Sequence, residues 1–183
     1  MLRLSRLPDG QPEVFVSIQG EGATAGVPSV FVRLTACNLR CTWCDTRYTW
    51  DWSQYDPVHE TIGEEAEPLA QRVLDTYLPN VVITGGEPLL QARELGSLVR
   101  TLKDAQRRIE VETNGTMTPV SPLTDLIDQW NVSPKLNSSG NSQTEREVPS
   151  ALSWFASCPH AYFKFVIAEP GDVNDAIALA DRY

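Results

Sequence analysis

With 183 residues, 42% of them apolar and 21% charged, the chain has the composition of one globular domain and is too short for two typical ones. Lys and Arg number 15 against 24 Asp and Glu, a net charge of −9, the wrong sign for broad attraction to nucleic acid or an anionic membrane, so a small molecule or protein partner is expected. The start MLRLSRLPDG lacks the apolar core of a secretory signal and no run reaches the roughly 20 apolar residues of a membrane span, so the expected location is the cytoplasm.

In chain order, the β-rich run Glu13–Ile18 precedes a glycine-rich stretch, Gln19–Gly26, and a second β-rich run, Val30–Thr35, leads into three cysteines. Residues Ile62–Leu78 place Leu69, Val73, Leu74, Tyr77 and Leu78 at helical spacing, and NVVIT, Asn80–Thr84, is a buried strand closed by Gly85-Gly86. A helix over Leu89–Lys103 turns Leu95, Leu98, Val99 and Leu102 inward. A strand at Ile109–Thr113, a short helix at Leu123–Trp130 and a strand at Trp130–Ser133 follow. The polar stretch Asn137–Ser150 is expected to be a mobile loop, before a helix at Ala151–Ser157, a strand at Ala161–Ile167 and a last helix at Val173–Asp181.

Repeated helix–strand units predict a parallel sheet, either open and doubly wound or a full or partial (β/α) barrel of about six units. SIQGEG, the cysteine loop, TGGEP, ETNG and SPK all follow predicted strands, so in a parallel barrel they converge on one C-terminal rim and one site.

Four cysteines, three of them within eight residues, are no disulfide scaffold. Cys37-x3-Cys41-x2-Cys44 offers three thiolates, one fewer than the four protein ligands of a structural zinc site or an electron-transfer cluster, and so implies an open coordination position. On a [4Fe-4S] cluster that position suits the amino and carboxylate groups of S-adenosylmethionine, whose sulfonium carbon–sulfur bond one electron can cleave. The alternative is a zinc knuckle completed by His59, His160 or Cys158, although neither histidine has the usual short spacing and Cys158 follows the apolar Trp154-Phe155 as a core thiol would. In TGGEP the glycines let the backbone pass close to a ligand, and the carboxylate of Glu87 is placed to receive an ammonium group. Glu112 and Asn114 match common structural furniture, a strand-end acid and an Asn-Gly turn. Tyr48, Trp50, Trp52 and Tyr55 are expected to form a hydrophobic lid.

Taken together, SIQGEG (17–22), G-x-P-x-VFVRL (26–34), CNLRCTWCDT (37–46), TGGEP (84–88), ETNG (112–115) and SPK (133–135) resemble the 7-carboxy-7-deazaguanine synthase family of radical S-adenosylmethionine enzymes. The resemblance runs from about Glu13 to Lys135 and more loosely beyond. It implies one radical S-adenosylmethionine domain over residues 1–183 and a lyase of queuosine and 7-deazapurine biosynthesis. The implied reaction converts 6-carboxy-5,6,7,8-tetrahydropterin to 7-carboxy-7-deazaguanine with loss of ammonia. The resemblance further implies Cys37, Cys41 and Cys44 on the cluster and Mg²⁺ at Thr46. Trp43, Asp45, Gly86, Ser133, Pro134 and Lys135 would surround S-adenosylmethionine, and Ile18, Gln19, Gly20, Arg33 and Thr84 the pterin, with Arg33 at its carboxylate. An electron donor such as flavodoxin or ferredoxin is implied, and a homodimer is one of the oligomeric states left open. The family generally continues past the point matching Tyr183, so the chain is expected to be truncated there. Two rivals stand beside this reading: a glycyl-radical-enzyme activase, which shares the three-cysteine pattern and a GGEP-like motif, and a non-catalytic iron–sulfur or zinc protein.

Overall fold

The computed structural model describes residues 1–183. Five strands form its parallel body: β3 (Pro28–Leu34), β5 (Asn80–Gly85), β6 (Arg108–Thr113), β7 (Gln129–Val132) and β8 (Ala161–Phe163). Three antiparallel strands extend it, β1 (Leu2–Ser5), β2 (Val14–Ile18) and β4 (Thr61–Glu64). The order is β4-β1-β3-β5-β6-β7-β8, with β2 also on β3, so the sheet is open and its parallel part has five strands where about six units were expected.

Between these strands run α1 (Pro57–Glu60), α2 (Ala66–Leu74), α3 (Ala92–Asp104), α4 (Leu123–Leu126), α5 (Gln143–Arg146), α6 (Pro149–Ser157) and α7 (Gly171–Ala180). None is long and apolar enough to cross a membrane. The two-residue period of a strand divides the sheet cleanly. Val30, Val32, Leu34, Val81, Ile83, Ile109, Val111, Trp130 and Val132 are fully buried in one core with Leu69 and Val73 of α2 and Leu95, Leu98, Val99 and Leu102 of α3. Trp130 anchors its far end, edge-on to Trp154 and Phe155 of α6 with ring centroids 6.1 and 5.6 Å away. The alternate positions, among them Ser29, Arg33, Asn80, Thr84, Glu110, Glu112, Gln129 and Asn131, lie on the other face, where a polar lumen forms.

Several expected boundaries move, each for a tertiary reason. Residues 61–64 pair with β1 over four registered positions, which takes Ile62 out of the expected helix. Tyr77 is 86% exposed and turns out of α2 with φ 59°, so it is not an inward residue. Trp130 joins β7, which shortens the helix before it to α4. The stretch expected as a mobile loop is folded: Asn137–Ser139 is a 3-10 turn, and Ser142 and Glu145 form a reciprocal capping box on α5.

Candidate active site

β3, β5, β6, β7 and β8 end at one rim, and each leads into a motif: the cysteine loop after Leu34, Gly86 after Gly85, Asn114 after Thr113, Ser133 after Val132 and Lys164 after Phe163. The double glycine is needed by contact. Gly85 has φ 126°, and a Cβ there would overlap the Leu34 carbonyl oxygen, while one on Gly86 would overlap that of Ala36. The close approach lets Gly86 N donate to Leu34 O at 3.0 Å and Glu87 N to Ala36 O at 2.8 Å, which fixes the chain directly before Cys37.

SIQGEG does not share that rim. β2 runs antiparallel to β3 with Ile18 opposite Pro28, so the loop after it starts at the other end of the sheet. It then crosses the polar face. Thr24 Oγ1 donates to Glu110 Oε2 at 2.8 Å, a Cβ on Gly22 would overlap Asn131 Oδ1, and Glu21 ion-pairs with Lys164. The loop therefore walls the same cavity from the opposite side, and the shared site stands although the shared rim does not.

That cavity, about 610 Å³, lies in the size range of small-molecule sites. Cys37, Cys41 and Cys44 line it with every other site residue named from the sequence except Pro134: Trp43, Asp45, Thr46, Gly86, Ser133 and Lys135, and Ile18, Gln19, Gly20, Arg33 and Thr84. His59, His160 and Cys158 are absent from its wall, so the residues weighed as a fourth zinc ligand do not meet the cysteines there. Cys158 packs partly buried against the core.

The donor set suits an iron–sulfur cluster. Burial pushes the Cys37 thiol up to about 11 and lifts that of Cys41, so bound iron is what favours the thiolates. No three potential ligands are gathered around a single ion, and a cubane, which offers a separate iron to each thiolate, asks only that the three face one space. Next to them, Lys135 Nζ sits 5.5 Å from the Trp43 ring centroid and donates to Ser133 Oγ at 2.9 Å. Trp43 Nε1 is buried without a partner.

In the lumen Arg33 donates from Nε to Glu13 Oε1 at 2.8 Å and lies 5.5 Å over the Phe15 ring. Burial opposes its charge, but the bond to Glu13 and that carboxylate's charge outweigh it, and the net shift is upward. Tyr48 donates to Glu13 Oε2 at 3.1 Å, and its hydroxyl is pushed up to about 12 by burial. Of the expected lid, then, Tyr48 supports Arg33, Trp50 faces the cysteines, and Trp52 and Tyr55 are exposed.

Glu87 departs from its expected place. It is fully buried and off the cavity wall, accepting from Leu89 N at 2.9 Å, Asn114 N at 2.7 Å and Thr113 Oγ1 at 2.9 Å, so it ties β6 to the turn after β5. Glu112, given little weight in the sequence, is on the wall, where it accepts from Gln19 Nε2 at 3.1 Å and Thr84 Oγ1 at 2.7 Å. Glu110 lies buried beneath it, bonded to Asn131 Nδ2 at 3.1 Å and paired with Arg108. The alternation in RIEVET is the signal for both, since its polar positions must face away from the helices.

The sequence model of the Radical SAM superfamily matches residues 31–134, the stretch from β3 to the rim after β7. A 7-carboxy-7-deazaguanine synthase of Pyrobaculum aerophilum is 41% identical over 173 residues, covering 93% of this chain and 72% of its own length. The chain belongs to the 7-carboxy-7-deazaguanine synthase family of radical S-adenosylmethionine enzymes. A second family member, from Hyperthermus butylicus, is 39% identical over 89% of this chain and 67% of its own length. A crystal structure of QueE from Escherichia coli superposes with a TM-score of 0.71 at 28% identity, covering 93% of this chain and 76% of that one. Membership brings the family's [4Fe-4S] cluster, S-adenosylmethionine and Mg²⁺, and it decides against the activase and the non-catalytic protein.

Proposed function

We propose that the chain converts 6-carboxy-5,6,7,8-tetrahydropterin to 7-carboxy-7-deazaguanine with release of ammonia, acting as one domain in the cytoplasm with flavodoxin or ferredoxin as electron donor. The observation that carries this reading is the single cavity in which three thiols with no fourth cysteine meet a polar lumen containing Arg33, Thr84, Gln19 and Glu112. When bound, the cluster and S-adenosylmethionine supply the one-electron cleavage that starts radical chemistry.

The chain's own residues hold and orient. Cys37, Cys41 and Cys44 ligate the cluster and leave one position open. Trp43, Asp45, Gly86, Ser133 and Lys135 form the wall nearest the cysteines and receive the cofactor. Ile18, Gln19 and Gly20 border the pterin. Arg33, oriented through Nε by Glu13, presents its terminal nitrogens to the substrate carboxylate. Thr46, two residues beyond Cys44, offers a hydroxyl to Mg²⁺, a hard cation that also takes carboxylate and water oxygens. The wall sets Arg33, Lys135 and Lys164 against Glu21, Asp45 and Glu112, with Arg33 and Lys164 already paired to carboxylates, so on a protein of net charge −9 the bound metal supplies the extra positive charge an anionic substrate needs.

Anaerobically reconstituted chain given the pterin, S-adenosylmethionine, Mg²⁺ and a low-potential reductant tests this. Mass-spectrometric detection of 7-carboxy-7-deazaguanine is expected. Cleavage of S-adenosylmethionine without that product overturns the substrate assignment.

A further inference from the structure

Each of the three cysteine sulfurs has a hydrogen-bond donor; Asn114 Nδ2 reaches Cys37 Sγ only at 4.0 Å and Thr46 Oγ1 lies 3.6 Å from Cys44 Sγ, while two shorter contacts come from side chains outside the cysteine motif. Trp50 Nε1 lies 3.2 Å from Cys44 Sγ, and Asn141 Nδ2 lies 3.3 Å from Cys41 Sγ. Cys37 Sγ has the longer approach of Leu39 N at 3.5 Å. Both side chains are held for the purpose. The amide orientation of Asn141 follows from its partners: Arg40 N donates to Oδ1 at 2.8 Å, so Oδ1 is an acceptor and the NH₂ group must be the end at sulfur. Ser139 Oγ accepts from the same Nδ2 at 3.2 Å, and Thr42 N donates to Ser139 O at 2.9 Å, so the 137–141 segment is laced along the cysteine loop. Trp50 is placed by the 3-10 turn Arg47–Thr49, where Thr49 N and Oγ1 both donate to Thr46 O and Trp50 N donates to Arg47 O at 3.0 Å.

We propose that Trp50 and Asn141 are positioning residues that raise the reduction potential of the cluster by donating N–H···S hydrogen bonds to Cys44 and Cys41. The inference rests on the family's cluster being held by these cysteines. A cluster that accepts one electron places more negative charge on its ligand sulfurs, and a donor aimed at a sulfur stabilises the reduced state more than the oxidised one. Removing either donor lowers the potential, and a one-electron reductant of fixed potential then leaves less of the cluster reduced. The two donors touch different sulfurs of one cluster, so the double variant is expected to exceed either single one without the two effects having to sum.

The test is an anaerobic redox titration of the reconstituted full chain, followed by the electron paramagnetic resonance signal of the reduced cluster. Trp50→Phe keeps an aromatic ring without the N–H. Asn141→Leu keeps the side chain's size and adds no charge while removing the N–H aimed at sulfur. Each variant is expected to lower the reduced-to-oxidised ratio at fixed potential several-fold, and the double variant at least tenfold, which for a one-electron couple is about 59 mV. Wild-type midpoints in variants with full iron and sulfide content overturn the proposal. For a variant that does not retain its cluster, wild-type protein exchanged from H₂O into D₂O decides: the iron–cysteine sulfur stretches in resonance Raman are expected to shift, and unshifted bands overturn it. These readouts need no turnover, so a chain that makes no deazaguanine fails the proposed function and leaves this result standing.

Discussion

Gln19 donates to Glu112 at 3.1 Å, and that bond joins two motifs that leave the sheet from opposite ends. Gln19 Oε1 also accepts from Glu21 N at 3.1 Å, so one amide sets both the loop and the wall of the lumen. Gln19→Ala removes a bond to a charged partner and loosens the loop that walls the cavity, so the Michaelis constant for the pterin is expected to rise several-fold. Steady-state kinetics on cluster-replete protein measures it, and unchanged kinetics would show that the loop is held by Thr24 and Glu21 alone.

Arg33 and Thr46 are expected to separate binding from metal use. Arg33→Ala should raise the pterin concentration required, with iron content unchanged. Thr46→Ala should abolish most of the stimulation by Mg²⁺ and leave iron content unchanged, because all three cysteines remain and only the 3.6 Å contact of Thr46 Oγ1 to Cys44 Sγ is lost. Turnover with and without Mg²⁺ beside iron and sulfide analysis reads both variants, and a metal response retained by Thr46→Ala removes Thr46 from the Mg²⁺ site.

A methyl group on Gly86 has no room, since the Ala36 carbonyl occupies its place one residue before Cys37. Gly86→Ala is therefore expected to displace the start of the cysteine loop and cut the iron retained per chain by more than half, while circular dichroism shows the sheet and helices intact. Full iron content in this variant would mean that the loop can shift without cost to ligation.

Glu87 ties three donors together inside the protein, and burial lifts its carboxyl above the ordinary carboxylate range against the pull of those bonds. Glu87→Ala leaves them unpaired and should destabilise the fold by about 3 kcal/mol or more. The sign of the pH dependence follows from the raised pKa. Above about 4.5 the folded state binds a proton that the unfolded chain has released, so ionising Glu87 costs the folded protein stability as pH rises. The stability gap between wild type and Glu87→Ala should thus narrow from acid toward neutral pH in denaturant titrations, and a gap that widens contradicts the raised pKa.

These sites differ in how far the sequence alone could place them. The inward faces of α3 and β5 were legible because helix and strand periods are local, and Leu95, Leu98, Val99 and Leu102 are all buried as expected. The cysteine spacing was legible because three thiolates so close together have few uses. β4 was not, since Thr61–Glu64 is extended only through its pairing with β1 at the far end of the chain. The same limit hid the route of SIQGEG: a strand followed by a glycine-rich loop reads alike whether the strand is parallel or antiparallel, and only the sheet puts Ile18 opposite Pro28. The polar 137–150 stretch looked like a loop because its hydrogen bonds go to Arg40, Cys41 and Thr42, about a hundred residues earlier.

The radical chemistry depends on Cys37, Cys41 and Cys44 holding a cluster with one iron open to S-adenosylmethionine. That ligation is tested most directly by the electron paramagnetic resonance spectrum of the reduced, anaerobically reconstituted chain with and without S-adenosylmethionine, beside Cys41→Ala. One [4Fe-4S] cluster per chain is expected, with a spectrum that changes when S-adenosylmethionine is added and a signal that is lost in Cys41→Ala. A spectrum indifferent to S-adenosylmethionine, or one that survives the loss of Cys41, would contradict it.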